Sequence, residues 1–141
     1  MNDEPIYIDT ACYIDHFEGR IDNLRPLGEF AYNLIRKSIE CEYKIIISNL
    51  VIDELEFNDY GKKIQELISD LKEADKLIFV EETSKDEEKA RKIKNKRNTA
   101  LNDTKHAVIA NRAKAVFLVT RNMKDFEELQ DLVTLKYPEN L

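Results

Sequence analysis

Short runs of β-branched and aromatic residues recur along this chain, separated by longer stretches with helical spacing, and this alternation limits the fold more than anything else in the sequence. The runs are IYI at 6–8, KIIIS at 44–48, KLIFV at 76–80, VFLVT at 116–120 and LVTLK at 132–136, each of strand length and composition. Between them, Phe30, Leu34, Ile35 and Ile39, and then Ile64, Leu67, Ile68 and Leu71, stand three and four residues apart, the spacing of amphipathic helices. Ser48 and Thr83 or Ser84 fall directly after strand runs, where helix N-caps are expected. Strands that read as continuous apolar runs and alternate with helices predict a parallel sheet covered on both faces, a three-layer α/β domain. A length of 141 residues is about one domain's worth and supports a core without disulfide or metal staples. No repeat, low-complexity tract or proline-rich linker divides the chain, so residues 1–141 are expected to form a single domain with a frayed tail at 139–141.

Several classes are excluded early. Hydrophobic residues at 43% and charged residues at 35% suit a globular domain and not a disordered or fibrous chain. Uncharged apolar runs such as 45–47 and 115–119 are far too short to span a bilayer. The opening MNDEPIYID has neither the basic start nor the apolar stretch of a secretion signal, so a cytoplasmic location is expected. Cys12 and Cys41 then read as reduced thiols, and His16 and His106 are too few to complete a zinc site. Three glycines, Gly19, Gly28 and Gly61, leave no room for a dinucleotide or phosphate-binding loop.

The net charge of −6 hides an asymmetry: residues 3–82 carry 9 bases and 19 acids, whereas 85–124 carry 12 bases and 4 acids. One part of the chain can face a polyanion while the other repels it. The basic block centres on KDEEKARKIKNKR at 85–97, whose only apolar residues are Ala90 and Ile93. It reads as an exposed or mobile helix, and Lys89, Lys92, Lys94, Lys96 and Arg97 are its candidate phosphate contacts. The plainer reading is a solvated, lysine-rich helix face. In the next segment, Ala107, Ala110 and Ala113 would let a helix lie close against the sheet.

Ligands of open parallel sheets bind at the carboxyl ends of the strands, and the acids can be sorted by that rule. Asp9 follows the first strand run, Asp125 lies five residues after Thr120, Glu54 falls in the second turn of the helix begun at Ser48, and Asp103 starts the alanine-rich helix. A helix leading into a parallel strand begins near the carboxyl rim, which places Asp103 with the others. Carboxylates brought that close raise each other's pKa or recruit a cation, and hard oxygen ligands suit magnesium or manganese. The chemistry implied is metal-assisted phosphodiester hydrolysis. Each acid also has a simpler role: Asp9, Asp103 or Asp125 as helix caps, Asp53 and Glu56 as solvated charges. Glu54, however, shares a helical side with Leu50 and Phe57, an odd place for an acid that merely faces water.

Over nearly its whole length the chain resembles the PIN domain nucleases, above all their small single-domain members of the VapC toxin type. The pieces are YIDT at 7–10, SNLVIDEL at 48–55 with Glu54 as the family's acid, NDTKHAVIANRA at 102–113, and LVTRNMKDF at 118–126, similar to the family's Thr-x-Asn-x-x-Asp-Phe signature. The resemblance implies a five-stranded parallel sheet of order 3-2-1-4-5 and a pocket of Asp9, Glu54, Asp103 and Asp125 holding one or two Mg2+ or Mn2+ ions. It implies an endoribonuclease in which water attacks in line and a 3′-hydroxyl leaves. Thr120 and Asn122, with Thr10 beside Asp9, would support the pocket by hydrogen bonds, or the first two merely organise the turn after the fourth strand. A homodimer and a small antitoxin partner are implied as well. Asp15 and His16 depart from the apolar residues usual in the first helix of such toxins.

Two other phosphoryl chemistries place an aspartate after a first strand. A haloacid-dehalogenase-like phosphatase needs a second aspartate where Ala11 stands, and a response-regulator receiver needs an acid pair and an acceptor aspartate that are missing. The competing reading from another class is a PIN-like module that binds RNA or protein without cutting.

Overall fold

The computed structural model describes residues 4–19, 26–40 and 42–141. In chain order the elements are β1 (Glu4–Ile8), α1 (Thr10–Glu18), α2 (Leu27–Ile39), β2 (Tyr43–Ser48), α3 (Asn49–Phe57), α4 (Gly61–Glu73), β3 (Leu77–Val80), α5 (Ser84–Lys96), α6 (Leu101–Arg112), β4 (Phe117–Val119), α7 (Met123–Phe126) and β5 (Leu135–Lys136). The strands form one parallel sheet of order β3-β2-β1-β4-β5, with Ile6 opposite both Ile45 and Phe117, as the resemblance implies. Successive strand residues point to opposite faces, and Ile6, Tyr7 and Ile8, like Ile45, Ile46 and Ile47, are all buried. The sheet is therefore covered on both sides, which explains why its strands read as unbroken apolar runs.

The helical spacing is realised in α4, where Ile64, Leu67, Ile68 and Leu71 are all buried. Ser48 caps α3 by accepting the Val51 amide, and Thr83 caps α5 through a reciprocal pair with Asp86. That capping box matters because α5 has almost no apolar face. Its order also comes from acids in the first turn and lysines in the last, which suit the helix dipole, and from Arg112, which clamps Asp86 at 2.8–3.1 Å and the Glu81 carbonyl at 2.6 Å. Ala90 is buried, so α5 packs on α6 as one arm of a helical hairpin. In α6, Ala107 and Ala110 are fully buried, while Ala113, just past its end, is partly exposed.

Two expectations differ. The run at 132–136 yields only the two-residue β5, because Leu132 closes a turn onto the Leu129 carbonyl and Val133 fills the core from that turn. The tail at 139–141 is not frayed: Pro138–Asn140 form a 3-10 turn against α2, and Lys37 Nζ donates to the Leu141 carbonyl at 2.5 Å. Cys12 is a buried free thiol, as expected, while Cys41 lies outside the described residues. Asp15 is buried against Arg121 at 2.6 Å, and His16 stacks on Tyr32. Among the described residues no helix is long and apolar enough to cross a membrane.

Candidate active site

β1 ends at Ile8, and the next amide, that of Asp9, bonds the Val119 carbonyl at 2.9 Å. The carboxyl ends of β1 and β4 are thereby fixed side by side. Asp9 occupies the N-cap position of α1, yet its side chain makes no capping bond. Instead its Oδ2 accepts from Thr120 Oγ1 at 3.1 Å, and the same threonine oxygen accepts the Asn122 amide at 3.0 Å. The turn after β4 thus orients the carboxylate that follows β1.

Glu54 enters from α3. Its Oε1 accepts from Thr10 Oγ1 at 2.6 Å and meets His106 Nε2 at 2.7 Å, and its Oε2 accepts from Asn102 Nδ2 at 3.2 Å. Behind it, His106 Nδ1 lies 2.6 Å from the Tyr7 hydroxyl, itself 2.8 Å from Ser48 Oγ. Asp103 stands one turn before His106 on α6. It is not the cap of that helix, a position held by Ala100, and no side chain among the described residues hydrogen-bonds its carboxylate. Asp9, Thr10, Glu54, Asp103 and His106 line a cleft of about 510 Å³ with Asn58, Asn102 and Asn122 as its amides and Phe57 also in its lining. A second hollow, about 410 Å³ between α2 and the C-terminal turn, contains none of the four candidate acids.

The four acids are not equivalent. Asp9, Glu54 and Asp103 share the cleft, whereas Asp125 is an exposed residue of α7 that lines the adjoining recess with Arg121 and Lys124. Asn122 borders both hollows. Asp125 still acts on the cleft, because its charge helps raise Asp103. Among the described residues none of the four is paired with a lysine or an arginine. Thr10, Thr120 and Asn122 all sit at the acids. The basic candidates do not: none of Lys89, Lys92, Lys94, Lys96 and Arg97 lines the cleft, and Lys92 lies 3.5 Å from Glu88 on its own helix. Arg97 grips Asp131 with both terminal nitrogens, at 2.7 and 3.0 Å, and donates to the Glu128 carbonyl. It fastens the end of α5 to the segment after α7.

Burial and like charge set the protonation of the cleft. Burial, with the charges of Asp9 and Asp125, pushes Asp103 up to about 6. Asp9, only 6% exposed, is raised chiefly by burial, against the opposing pull of His106 and Thr120. Burial alone would raise Glu54 and lower His106, but each holds the other in its charged form: Glu54 ends below its ordinary range and His106 above its own. Raised values mean that Asp9, Asp103 and His106 bind protons more tightly in the fold than in the unfolded chain. The metal-free protein is therefore expected to lose stability as pH rises from about 5 to 8. Thermal melts in chelator across that range check this, and a rising stability would contradict the assigned electrostatics. The depressed Glu54 acts with opposite sign only at lower pH, where it becomes protonated.

The donor set is carboxylate and amide oxygen. Among the described residues no three His, Cys, Asp or Glu side chains stand together as a ready-made metal cluster, since Glu54 is turned onto His106 and Asp125 is set apart. Two carboxylates with no lysine or arginine against them among the described residues, Asp9 and Asp103, match what magnesium takes from a protein while keeping waters and substrate phosphate for the rest of its shell. Sequence reasoning passed over His106 and Tyr7. His106 had a signal, its i+3 spacing from Asp103, which places both on one helix face; Tyr7 is hidden in an apolar strand run.

The PIN domain family model matches residues 6–132. No curated protein matches the chain. Among solved structures, it is similar to a chain of VapBC2 from Rickettsia felis bound to a promoter DNA fragment, at 20% identity and TM-score 0.63, covering 94% of this chain and 98% of that one. It is similar also to a chain of a toxin–antitoxin complex from Klebsiella pneumoniae, at 17% identity and TM-score 0.61, covering 94% and 97%. FitAcB from Neisseria gonorrhoeae aligns at 19% identity and TM-score 0.58, covering 96% and 99%. With the sheet order and nearly all of the fold covered by the match, the chain belongs to the PIN domain family.

Proposed function

We propose that this PIN domain is a metal-dependent endoribonuclease that hydrolyses RNA phosphodiester bonds with magnesium or manganese, and that it is the toxin of a toxin–antitoxin pair. The observation that supports this reading best is the pair Asp9 and Asp103, two carboxylates in one cleft without a lysine or arginine against either among the described residues, one of them driven up to about 6. A non-catalytic module gains nothing from such repulsion. Asp9 and Asp103 would hold the ion, with Glu54 and Asp125 as the other carboxylates of the set. When bound, the ion supplies positive charge against the phosphodiester's developing negative charge and makes water a better nucleophile. The chain's own residues fix the geometry: Thr120 orients Asp9, Asn122 positions Thr120 through its amide, and Thr10, Asn102 and His106 hold Glu54.

The partners in this reading are RNA, a second copy of the chain as homodimer and a small antitoxin, in the cytoplasm. The toxin–antitoxin complexes among the similar structures support the antitoxin. The direct test is cleavage of labelled RNA in magnesium or manganese against excess chelator; no metal-dependent cleavage overturns the proposal. The basic face of α5 is tested separately. Charge reversal at Lys92 and Lys94 is expected to weaken RNA binding and reduce its salt slope by about 1–2, with metal affinity unchanged. Arg97 is spared because its loss would break the Asp131 pair. Salt-dependent binding that matches wild type would remove α5 from the RNA path.

A further inference from the structure

The helix α3 turns one face to the cleft. Leu50, Asp53, Glu54, Phe57 and Asn58 all line it, and their spacing is that of a single helical stripe. Three residues on from Glu54, Phe57 stands about 4.5 Å further along the helix axis, at the outer lip. There it is 88% exposed, far more than Tyr32, Ile39 or Phe79, the other large apolar side chains with substantial exposure among the described residues. None of those three lines the cleft. A phenylalanine ring left in water at the mouth of a carboxylate cleft forgoes the gain of burial. Nothing in the packing of α3 requires it, since Val51 and Leu55 already fill the core from that helix.

We propose that Phe57 is a stacking platform for an unpaired RNA base beside the scissile phosphate, and so a determinant of preference for single-stranded RNA. The inference rests on the ribonuclease reading above. Two features favour a base over a protein surface. First, the ring is isolated: Glu56, Asn58 and Asp59 around it are exposed polar residues, whereas a stable protein interface needs roughly 800 Å² per partner. One ring is enough for one base, because base–aromatic stacking is tolerant of sequence and is worth about 5- to 150-fold in affinity. Second, beside its carboxylates the cleft is lined by three amides, Asn58, Asn102 and Asn122, which suit the hydrogen-bonding edges of a splayed-out base. A base paired in a helix cannot lay its face on the ring, which turns the platform into a selector.

The test compares wild type, Phe57→Ala and Phe57→Trp on an unstructured RNA oligonucleotide and on the same strand annealed to its complement. Phe57→Ala is expected to raise KM for the single strand about 10-fold with a smaller change in kcat, to narrow the preference over duplex, and to keep the metal-induced rise in Tm. Phe57→Trp is expected to restore KM to the wild-type value or below. Wild type that cuts while Phe57→Ala cuts with unaltered KM overturns the platform alone. A Phe57→Ala protein whose oligomeric state shifts in sedimentation, with KM unchanged per active site, assigns the ring to a protein contact and also overturns it. Wild type inert toward both substrates in magnesium and manganese defeats the ribonuclease reading and the platform with it.

Discussion

Replacing Asp9 with asparagine is expected to lower metal-dependent RNA cleavage on the order of 10³-fold, the scale of transition-state charge stabilisation that a catalytic ion provides. The change keeps the shape of the side chain and an oxygen to accept the Thr120 hydroxyl, now 3.1 Å from Asp9 Oδ2. What it removes is the charge, and that charge is buried and disfavoured in the fold. The variant is therefore expected to melt in chelator at the wild-type temperature or above it, while losing the metal-induced rise in Tm. Opposite movements of activity and stability separate a functional carboxylate from a structural one. Cleavage that survives in Asp9→Asn, or in wild type with excess chelator, would defeat the assigned mechanism.

The largest stability effect is expected at Gly28. A Cβ there would lie 2.5 Å from Gly19 Cα, 2.6 Å from the Asp15 carbonyl oxygen and 2.8 Å from Gly19 C. All three are backbone atoms, so no side-chain rotation relieves the overlap, and α1 and α2 must move apart. Overpacking that forces backbone shifts costs about 3 kcal/mol, or a Tm loss of about 10 °C for a chain of this size. Gly61→Ala is the control, because its nearest neighbour is the flexible Glu56 Cγ at 3.1 Å, and its effect should stay within about 1 kcal/mol. Thermal or urea melts decide; equal small losses at both positions would refute the close-approach argument.

The fold was legible because each central strand is buried on two faces, so Ile45, Ile46 and Ile47 carry an uninterrupted apolar signal. The edge was less so. Leu132 and Val133 are as apolar as a strand requires, yet their burial is satisfied from a turn, and hydrophobicity alone does not distinguish the two. That Asp9, Glu54 and Asp103 share one cleft followed from the rule that parallel strands present one rim, whereas the offset of Asp125 did not. Nor did the environments of the acids, because those depend on contacts between residues 44 to 111 positions apart, such as Thr10 with Glu54 and Thr120 with Asp9. Charge counting alone pointed to Arg97 for phosphate, and only coordinates reveal the forked grip on Asp131.

Because β1 lies at the middle of the sheet and needs both β2 and β4 beside it, the cleft cannot be assembled from a partial translation product. A nascent chain that has left the ribosome only as far as α6 still lacks the Thr120 hydroxyl that aligns Asp9, together with Asp125. A chain that stops there is expected to carry Asp9, Glu54 and Asp103 without the contact that orients the first of them.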